Sequence, residues 1–197
     1  MNIASEIDPA DQQPLLPRGS PAAEHVAELL IMPGALLGLS LDEARVIVDF
    51  MSPLKIDVGT TFISEGACDD GSMLLVLDGE VVVESPTLSR AEPHSIQVLG
   101  PGQLVGEMRF LTNEPRCASC KANTDVLGVS LSQASLRILL ERHPQIGAKL
   151  LLLVATQIAA RLRETTRKFK LFDDLTLTMQ REIQGSIRAS RPPDTLT

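Results

Sequence analysis

The sequence predicts an α+β fold. An antiparallel β-roll, of the jelly-roll or double-stranded β-helix type, is flanked by N-terminal helices and by a long C-terminal helix. From residue 53 onward, apolar residues recur with a period of two in short segments separated by glycines. On both sides of this region the apolar spacing is helical. The first pattern is typical of strands and the second of amphipathic helices. Many short strands in one region favour a jelly roll or a barrel.

The N-terminal region is expected to contain a tail and two helices. Residues 1–22 are rich in proline and polar residues and show no apolar period, which predicts a disordered leader. Apolar residues at helical spacing predict helices over residues 24–30 and 41–50. Ser40 precedes the second helix and Glu43 follows three residues later, which is the pattern of a capping box.

The middle of the chain is expected to form the strands of the roll. Asp78-Gly79 separates two apolar segments, residues 74–77 and 80–83, and this dipeptide is a strong signal for a hairpin. Residues 84–95 contain two prolines and are expected to form a surface loop. The apolar residues 126–131 predict the last strand.

The C-terminal region is expected to be helical over residues 133–142 and again from Pro144. Apolar and small residues of the second helix fall on one stripe: Leu151, Val154, Ile158, Leu162, Thr165 and Phe169. The apolar stripe is more extensive than the surface of the roll that can cover it, so we expect a homodimer through this helix. The alternative is a single helix that is buried in its own domain. A further amphipathic helix is expected over residues 171–187. The predicted domain therefore spans residues 23–170, followed by a helical extension and short tail over residues 171–197.

Composition excludes several functions. The net charge of −7 and a pI near 5.0 argue against a general nucleic-acid binder. No apolar run reaches the length of a membrane span, and the N-terminus lacks the pattern of a signal peptide, so we expect a cytoplasmic protein without a membrane partner. Three cysteines without a disulfide framework fit a reducing compartment. The three histidines are dispersed, which predicts neither a metal site nor an enzyme.

The most informative stretch is residues 100–122, which read GPGQLVGEMRFLTNEPRCASCKA. Gly106 and Glu107 head a short predicted helix, and backbone N–H groups at a helix start suit a phosphate. Arg116 follows nine residues after Glu107 and offers a planar, permanently charged fork to the same phosphate. Glu107 is suited to accept a hydrogen bond from a sugar hydroxyl. These residue types predict a binding site for a small anion that carries a free hydroxyl.

This stretch resembles the phosphate-binding cassette of cyclic nucleotide-binding domains, the family of the bacterial catabolite activator protein and of the regulatory subunits of protein kinase A. The matching positions are Gly106, Glu107, Met108, Phe110, Pro115, Arg116, Ala118 and Ser119. The resemblance covers residues 36–170. It includes the first roll strands (58–66), a strand–turn–strand signature (74–83) and a long C-helix (144–168).

The resemblance implies roles for the matched residues. Glu107 would bind the ribose 2′-hydroxyl, Arg116 the cyclic phosphate, and backbone groups at Gly106 and Met108 the phosphate oxygens. Cys117 and Ser119 complete the cassette; Cys117 stands where the catabolite activator has a serine that helps to hold the phosphate, and a thiol is a weaker donor.

The C-helix carries a second part of the resemblance. Thr165 and Thr166 match a Thr-Ser pair that contacts adenine, which implies that Thr165, and Thr166 of a dimer partner, lie over the base. The base is expected to be adenine, although a hydroxyl also suits guanine.

Arg109 departs from the family pattern, which has Gly, Ala or Ser at this position. Its side chain either adds charge, selects a more anionic ligand, or crowds the pocket. The sequence thus predicts a regulatory module that binds cyclic AMP, with cyclic GMP or a cyclic dinucleotide as other candidates, and acts on a protein effector. Direct DNA binding is not expected, because too few residues follow Lys170 for a winged helix-turn-helix. The alternative is a dimeric interaction scaffold that binds no nucleotide, with Arg109 filling the cleft.

Overall fold

The computed structural model describes residues 16–31, 38–85, 94–112 and 114–189. Its elements follow the predicted order of helices, strands and helices. They are α1 (Pro21–Leu30), α2 (Leu41–Val48), β1 (Ser52–Ile56), β2 (Thr61–Ile63), β3 (Met73–Asp78), β4 (Val81–Ser85), β5 (His94–Leu99), β6 (Leu104–Val105), α3 (Glu107–Leu111), β7 (Ser119–Ala122), β8 (Val126–Leu131), α4 (Gln133–Arg142) and α5 (Pro144–Ala189).

The strands form two four-stranded antiparallel sheets that share one core. Their orders are β1-β8-β3-β6 and β2-β7-β4-β5, so neighbours in space are mostly distant in sequence. Buried side chains from all eight strands fill the space between the sheets: Ile56, Ile63, Leu74, Val76, Val81, Leu99, Val105, Cys120, Ala122 and Val126. This arrangement confirms the predicted α+β class and the β-roll. The predicted hairpin at Asp78-Gly79 is wrong, because β3 and β4 lie in different sheets and the turn connects one sheet to the other.

The segment predicted as a surface loop over residues 84–95 is partly strand. Glu84 pairs with Ser119 of β7 and also with Ser95 of β5, so β4 lies between two strands and continues to Ser85. His94 and Ser95 open β5. Pairing on both sides extends a strand beyond the point that the local prolines suggest. Residues 86–93 lie outside the described residues.

The N-terminal helices begin at the polar residues that the sequence provides. Ser20 caps α1 by accepting a hydrogen bond from the Ala23 amide (3.2 Å), and Pro21 occupies the first helical turn. Residues 21 and 22, assigned to the leader in the sequence analysis, are therefore helical. Residues 1–15 of that leader lie outside the described residues. The predicted capping box of α2 is confirmed: the Glu43 amide donates to Ser40 Oγ, and the Ser40 amide donates to Glu43 Oε2.

Helix α5 is one continuous helix of 46 residues, Pro144–Ala189. The helix predicted separately over residues 171–187 is the continuation of α5, which has no break at residue 170. No glycine or proline lies between residues 148 and 184 to end the helix. The chain divides into two compact units, residues 1–154 and 155–197, and the boundary between them falls within α5.

The two parts of α5 differ in burial. In the first unit Leu150 and Val154 are buried in the core. In the second unit large apolar side chains are exposed, namely Leu162, Phe169, Leu171, Phe172, Leu175 and Met179. By length and composition alone, Pro144–Phe172 would suffice to cross a membrane, because it contains an 18-residue stretch with a mean hydropathy of 1.3. In that stretch 22% of the residues are buried. A core helix of a soluble protein also meets these criteria of length and composition, so they are weak support for a membrane span.

The capping box of α2 provides a test of local stability. Replacing Ser40 with Ala removes the acceptor for the Glu43 amide, and we expect a loss of about 1 kcal/mol in the free energy of unfolding. Urea unfolding followed by far-ultraviolet circular dichroism measures it. Ser64→Ala, an exposed serine in a turn, is the matched control and is expected to change stability by less than about 0.5 kcal/mol. Equal effects of the two substitutions would contradict the assignment.

Candidate functional site

Gly106 is the point at which the chain turns from β6 into α3. It has φ of +80°, in the left-handed region that glycine adopts without strain. A Cβ atom at this position would lie 2.6 Å from Nη1 of Arg116 and 3.1 Å from Cδ1 of Ile63. Glycine is therefore required here twice, for the backbone conformation and for the close approach of the arginine.

Arg116 is the most firmly held charged side chain of the site, with only 4% of its surface exposed. Its Nε donates to both carboxylate oxygens of Asp69 (2.9 and 3.1 Å). Nη1 donates to the Gly106 carbonyl and Nη2 to the Ser72 carbonyl, each at 2.9 Å. One further N–H on each terminal nitrogen has no partner among the described residues. Two donors thus remain on a buried, fully charged group.

Asp69 is the residue of this site that sequence reasoning missed. Its Oδ1 accepts from Nε of Arg109 (3.1 Å) and from the Gly71 amide (2.9 Å), in addition to Arg116. Burial raises the pKa of the Asp69 carboxyl. The hydrogen bonds from Arg116 and Gly71 outweigh this effect, so the pKa lies below its ordinary value of 3.8. Asp69 stands in a loop without a motif, 47 residues before Arg116, so no local signal marks it.

Arg109, the predicted modulator, is held by the protein itself. Besides the Asp69 carboxylate, it contacts two backbone carbonyls: Nη2 donates to that of Asp69 (2.7 Å) and Nη1 to that of Glu114 (2.8 Å). The guanidinium therefore ties α3 to the loop at Asp69 and to the segment that leads to Arg116. Two arginines consequently share one carboxylate.

The remaining cassette residues differ in exposure. Glu107, the first residue of α3, is buried with 4% of its surface exposed, whereas Met108 is exposed. The Cys117 thiol lies 3.3 Å from Sδ of Met108. Ser119 lies in β7, where its hydroxyl oxygen accepts from the Glu65 amide (3.0 Å). Glu107 and Arg116 are thus the buried charged residues of the cassette, next to Gly106. Met108 and Cys117 are exposed, and their sulfur atoms lie close together.

The two threonines predicted to contact the base lie in the second unit, on α5. Both are exposed, and each hydroxyl donates to a carbonyl of its own helix. Thr165 donates to the Arg161 carbonyl (3.0 Å), and Thr166 to the Leu162 carbonyl (2.9 Å). Since each hydroxyl proton is committed to the helix, each oxygen is left as an acceptor.

The cysteines and histidines form no metal site within the described part of the chain. No group of three or more His, Cys, Asp and Glu side chains there is arranged to hold a metal ion. Cys117, in a bend before β7, is exposed, and Cys120 in β7 is buried.

Comparison with known proteins agrees with this geometry. Residues 53–143 match the family model described as the cyclic nucleotide-binding domain. The structure is similar to a cyclic nucleotide-binding domain from Methylobacillus flagellatus, with a TM-score of 0.70 and 28% identity, over 75% of this chain and 82% of that one. It is also similar to the catabolite activator protein of Thermus thermophilus, with a TM-score of 0.55 and 27% identity, over 71% and 61% of the two chains.

A curated relative matches over a similar length. The CRP-like cAMP-activated global transcriptional regulator of Mycobacterium tuberculosis is 25% identical over 138 residues. These residues make up 70% of this chain, and the chain spans 59% of the mycobacterial protein.

The lowered pKa of Asp69 predicts a pH dependence of stability. A carboxyl whose pKa is lower in the folded state stabilises the protein above its unfolded pKa, and this contribution is lost as the pH falls through the folded value. We therefore expect wild type to be more stable than Asp69→Asn at about pH 6, and the difference to shrink steadily toward about pH 3. Urea unfolding across this range measures both proteins. A difference that stays constant with pH would show that the charge of Asp69 contributes nothing.

Proposed function

Because residues 53–143 belong to the cyclic nucleotide-binding domain family, we propose that this chain is a regulatory module that binds cyclic AMP and acts through α5 on a protein effector, without catalysis and without direct DNA binding. The buried Arg116 carries the proposal. A guanidinium removed from water, with two N–H groups that have no partner among the described residues, can donate to the two exocyclic oxygens of a cyclic phosphate.

The neighbours of Arg116 provide the other contacts that a cyclic nucleotide needs. Glu107 follows Gly106 directly, and its buried carboxylate is assigned to the ribose 2′-hydroxyl. Backbone groups at Gly106 and Met108 are assigned to phosphate oxygens. Cys117 and Ser119 complete the cassette, Cys117 as an exposed thiol beside Met108.

The choice of adenine follows from the state of the threonine hydroxyls. Thr165 and Thr166 donate to helix carbonyls, so their oxygens are free to accept. Adenine presents an exocyclic amino group, which donates, where guanine presents a carbonyl oxygen, which accepts. Thr165, together with Thr166 of a second copy, therefore favours cyclic AMP over cyclic GMP. The similarity to a cAMP-activated regulator supports the same choice.

The exposed face of α5 supports a homodimer. Leu162 and Phe169 are seven residues apart, as are Phe172 and Met179, and all four are 63–72% exposed. In a coiled coil, apolar residues occupy two positions of every seven-residue repeat, three residues apart, and these positions form the seam between the helices. A second copy of the same helix is the simplest partner that covers this seam.

Ligand binding would act on a conformational equilibrium. A nucleotide shifts such an equilibrium only by its differential affinity for the two states. Here the phosphate would accept from the two N–H groups of Arg116 that have no partner among the described residues, and would compete with Asp69 for the arginine's charge.

One observation favours a second function. Asp69 already neutralises Arg116 and Arg109, so the site carries an internal counter-ion that competes with a phosphate. If this competition prevails, the chain is a dimeric interaction scaffold with a degenerate, nucleotide-free site.

Calorimetric titration with cyclic AMP, cyclic GMP and a cyclic dinucleotide separates the two functions. We expect the tightest binding for cyclic AMP. Arg116→Lys keeps the charge but loses the fork, so the dissociation constant for cyclic AMP should rise roughly 10- to 100-fold. Arg163→Lys, at an exposed position of α5, is the matched control and should leave it unchanged. Absence of heat at high micromolar nucleotide would reject the sensor and leave the scaffold.

The homodimer is tested at the seam of α5. Phe169→Glu places a charge in the seam, and we expect the dimer to become a monomer at micromolar concentration, as measured by sedimentation equilibrium. Leu171→Glu is the matched control, because Leu171 is equally apolar and exposed but lies off the seam. A monomeric wild type, or equal loss of dimer in both variants, would contradict the assignment.

A further inference from the structure

We propose that Gln133 is a positioning residue that couples the phosphate cassette to α4 and the start of α5. The proposal rests on the proposed function and names how ligand binding would be transmitted within the first unit. Nε2 of Gln133 donates to three backbone carbonyls at the end of α3: Arg109 (3.0 Å), Phe110 (3.2 Å) and Thr112 (3.2 Å).

These contacts make Gln133 the C-terminal cap of the cassette helix. The last carbonyls of a helix have no partner within the helix and must be satisfied from outside. The Arg109 carbonyl also accepts from the Thr112 amide. The additional partner at the end of α3 is the first residue of a different helix, 21 to 24 residues further along the chain. Only the amide nitrogen suits this position, because all three neighbours are acceptors.

Gln133 also packs against the loop that holds Arg116. A Cβ atom on Gly71 would lie 2.6 Å from Cδ of Gln133 and 2.9 Å from both amide heteroatoms. The Gly71 amide donates to Asp69, and the next carbonyl along the chain, that of Ser72, accepts from Arg116. The amide of Gln133 therefore touches both segments that surround the guanidinium.

The effect continues from α4 into α5. Gln133 is the first residue of α4, after the N-cap Ser132. At the other end of α4, a Cβ atom on Gly147 of α5 would lie 2.6 Å from Cδ2 and 3.3 Å from Cα of Leu140. The two helices are joined through His143 alone and are in close contact, so a displacement of α4 is passed to the first turns of α5.

The consequence for signalling is direct. When a phosphate takes donors of Arg116, the loop at residues 69–72 and the end of α3 adjust together. The donors of Gln133 are committed to α3 and its amide is packed on Gly71, so α4 follows both movements. Gln133 therefore transmits the movement of the cassette to α4 without contacting the nucleotide.

Hydrogen exchange of the full chain with and without cyclic AMP tests this assignment. In wild type we expect nucleotide to slow exchange at residues 107–111 and 133–142. In Gln133→Met, which has similar length but no donor, the slowing at α3 should persist, and the slowing at α4 should fall roughly fivefold or more. Gln133→Lys restores a donor and should restore the response of α4. In Gln133→Asn the side chain is too short to reach the carbonyls, so this variant should behave as Gln133→Met does. An unchanged response of α4 in the Met and Asn variants would overturn the proposal.

A double-mutant cycle tests the coupling without nucleotide. Asp69→Asn perturbs the loop, and we expect it to accelerate exchange in α4 when Gln133 is present and to have little effect on α4 in the Gln133→Met background. Equal acceleration in the two backgrounds would overturn the coupling. A wild type that binds no nucleotide but shows this non-additivity would reject the proposed function and retain the role of Gln133.

Discussion

The arrangement of the cassette depends on one carboxylate shared by two arginines. Asp69 holds Arg116 and Arg109 at once, and both guanidinium groups also donate to backbone carbonyls from three separate segments. Without Asp69 two cations would lie side by side with little water to screen them, and the segments would have no common anchor. If a phosphate binds Arg116 as proposed, Arg109 keeps Asp69 neutralised.

Local patterns in the sequence predicted the elements around this network well. The capping box at Ser40 and the roll each follow from neighbouring residues or from a known motif. The roles of Asp69 and Gln133 did not follow, because each acts through contacts between segments 21 or more residues apart that only the topology brings together. Their polar side chains carry no periodicity, and in sequence they resemble ordinary loop and helix-start residues.

The errors in the sequence analysis have the same origin. Prolines near residues 84–95 suggested a loop, but pairing with β5 and β7 extends the strand from outside the segment. The separate helix predicted over residues 171–187 followed the length of the family's helix, whereas the chain itself contains no residue there that ends a helix. Local sequence signals predict the ends of a helix or strand well where a capping residue is present. They predict these ends poorly where pairing with distant strands, or the lack of any residue that ends a helix, determines them.

The close approach of Arg116 to Gly106 also constrains the order in which this site can be lost in evolution. While the arginine is present, any side chain at position 106 meets its terminal nitrogen and suffers the strain of a positive φ as well. Once the arginine has been replaced, the strain of about 1–2 kcal/mol remains, together with the milder close contact with Ile63. A descendant that abandons anion binding is therefore expected to change position 116 first and position 106 afterwards. A glycine without its arginine would mark an intermediate on that path, and the reverse combination should be rare.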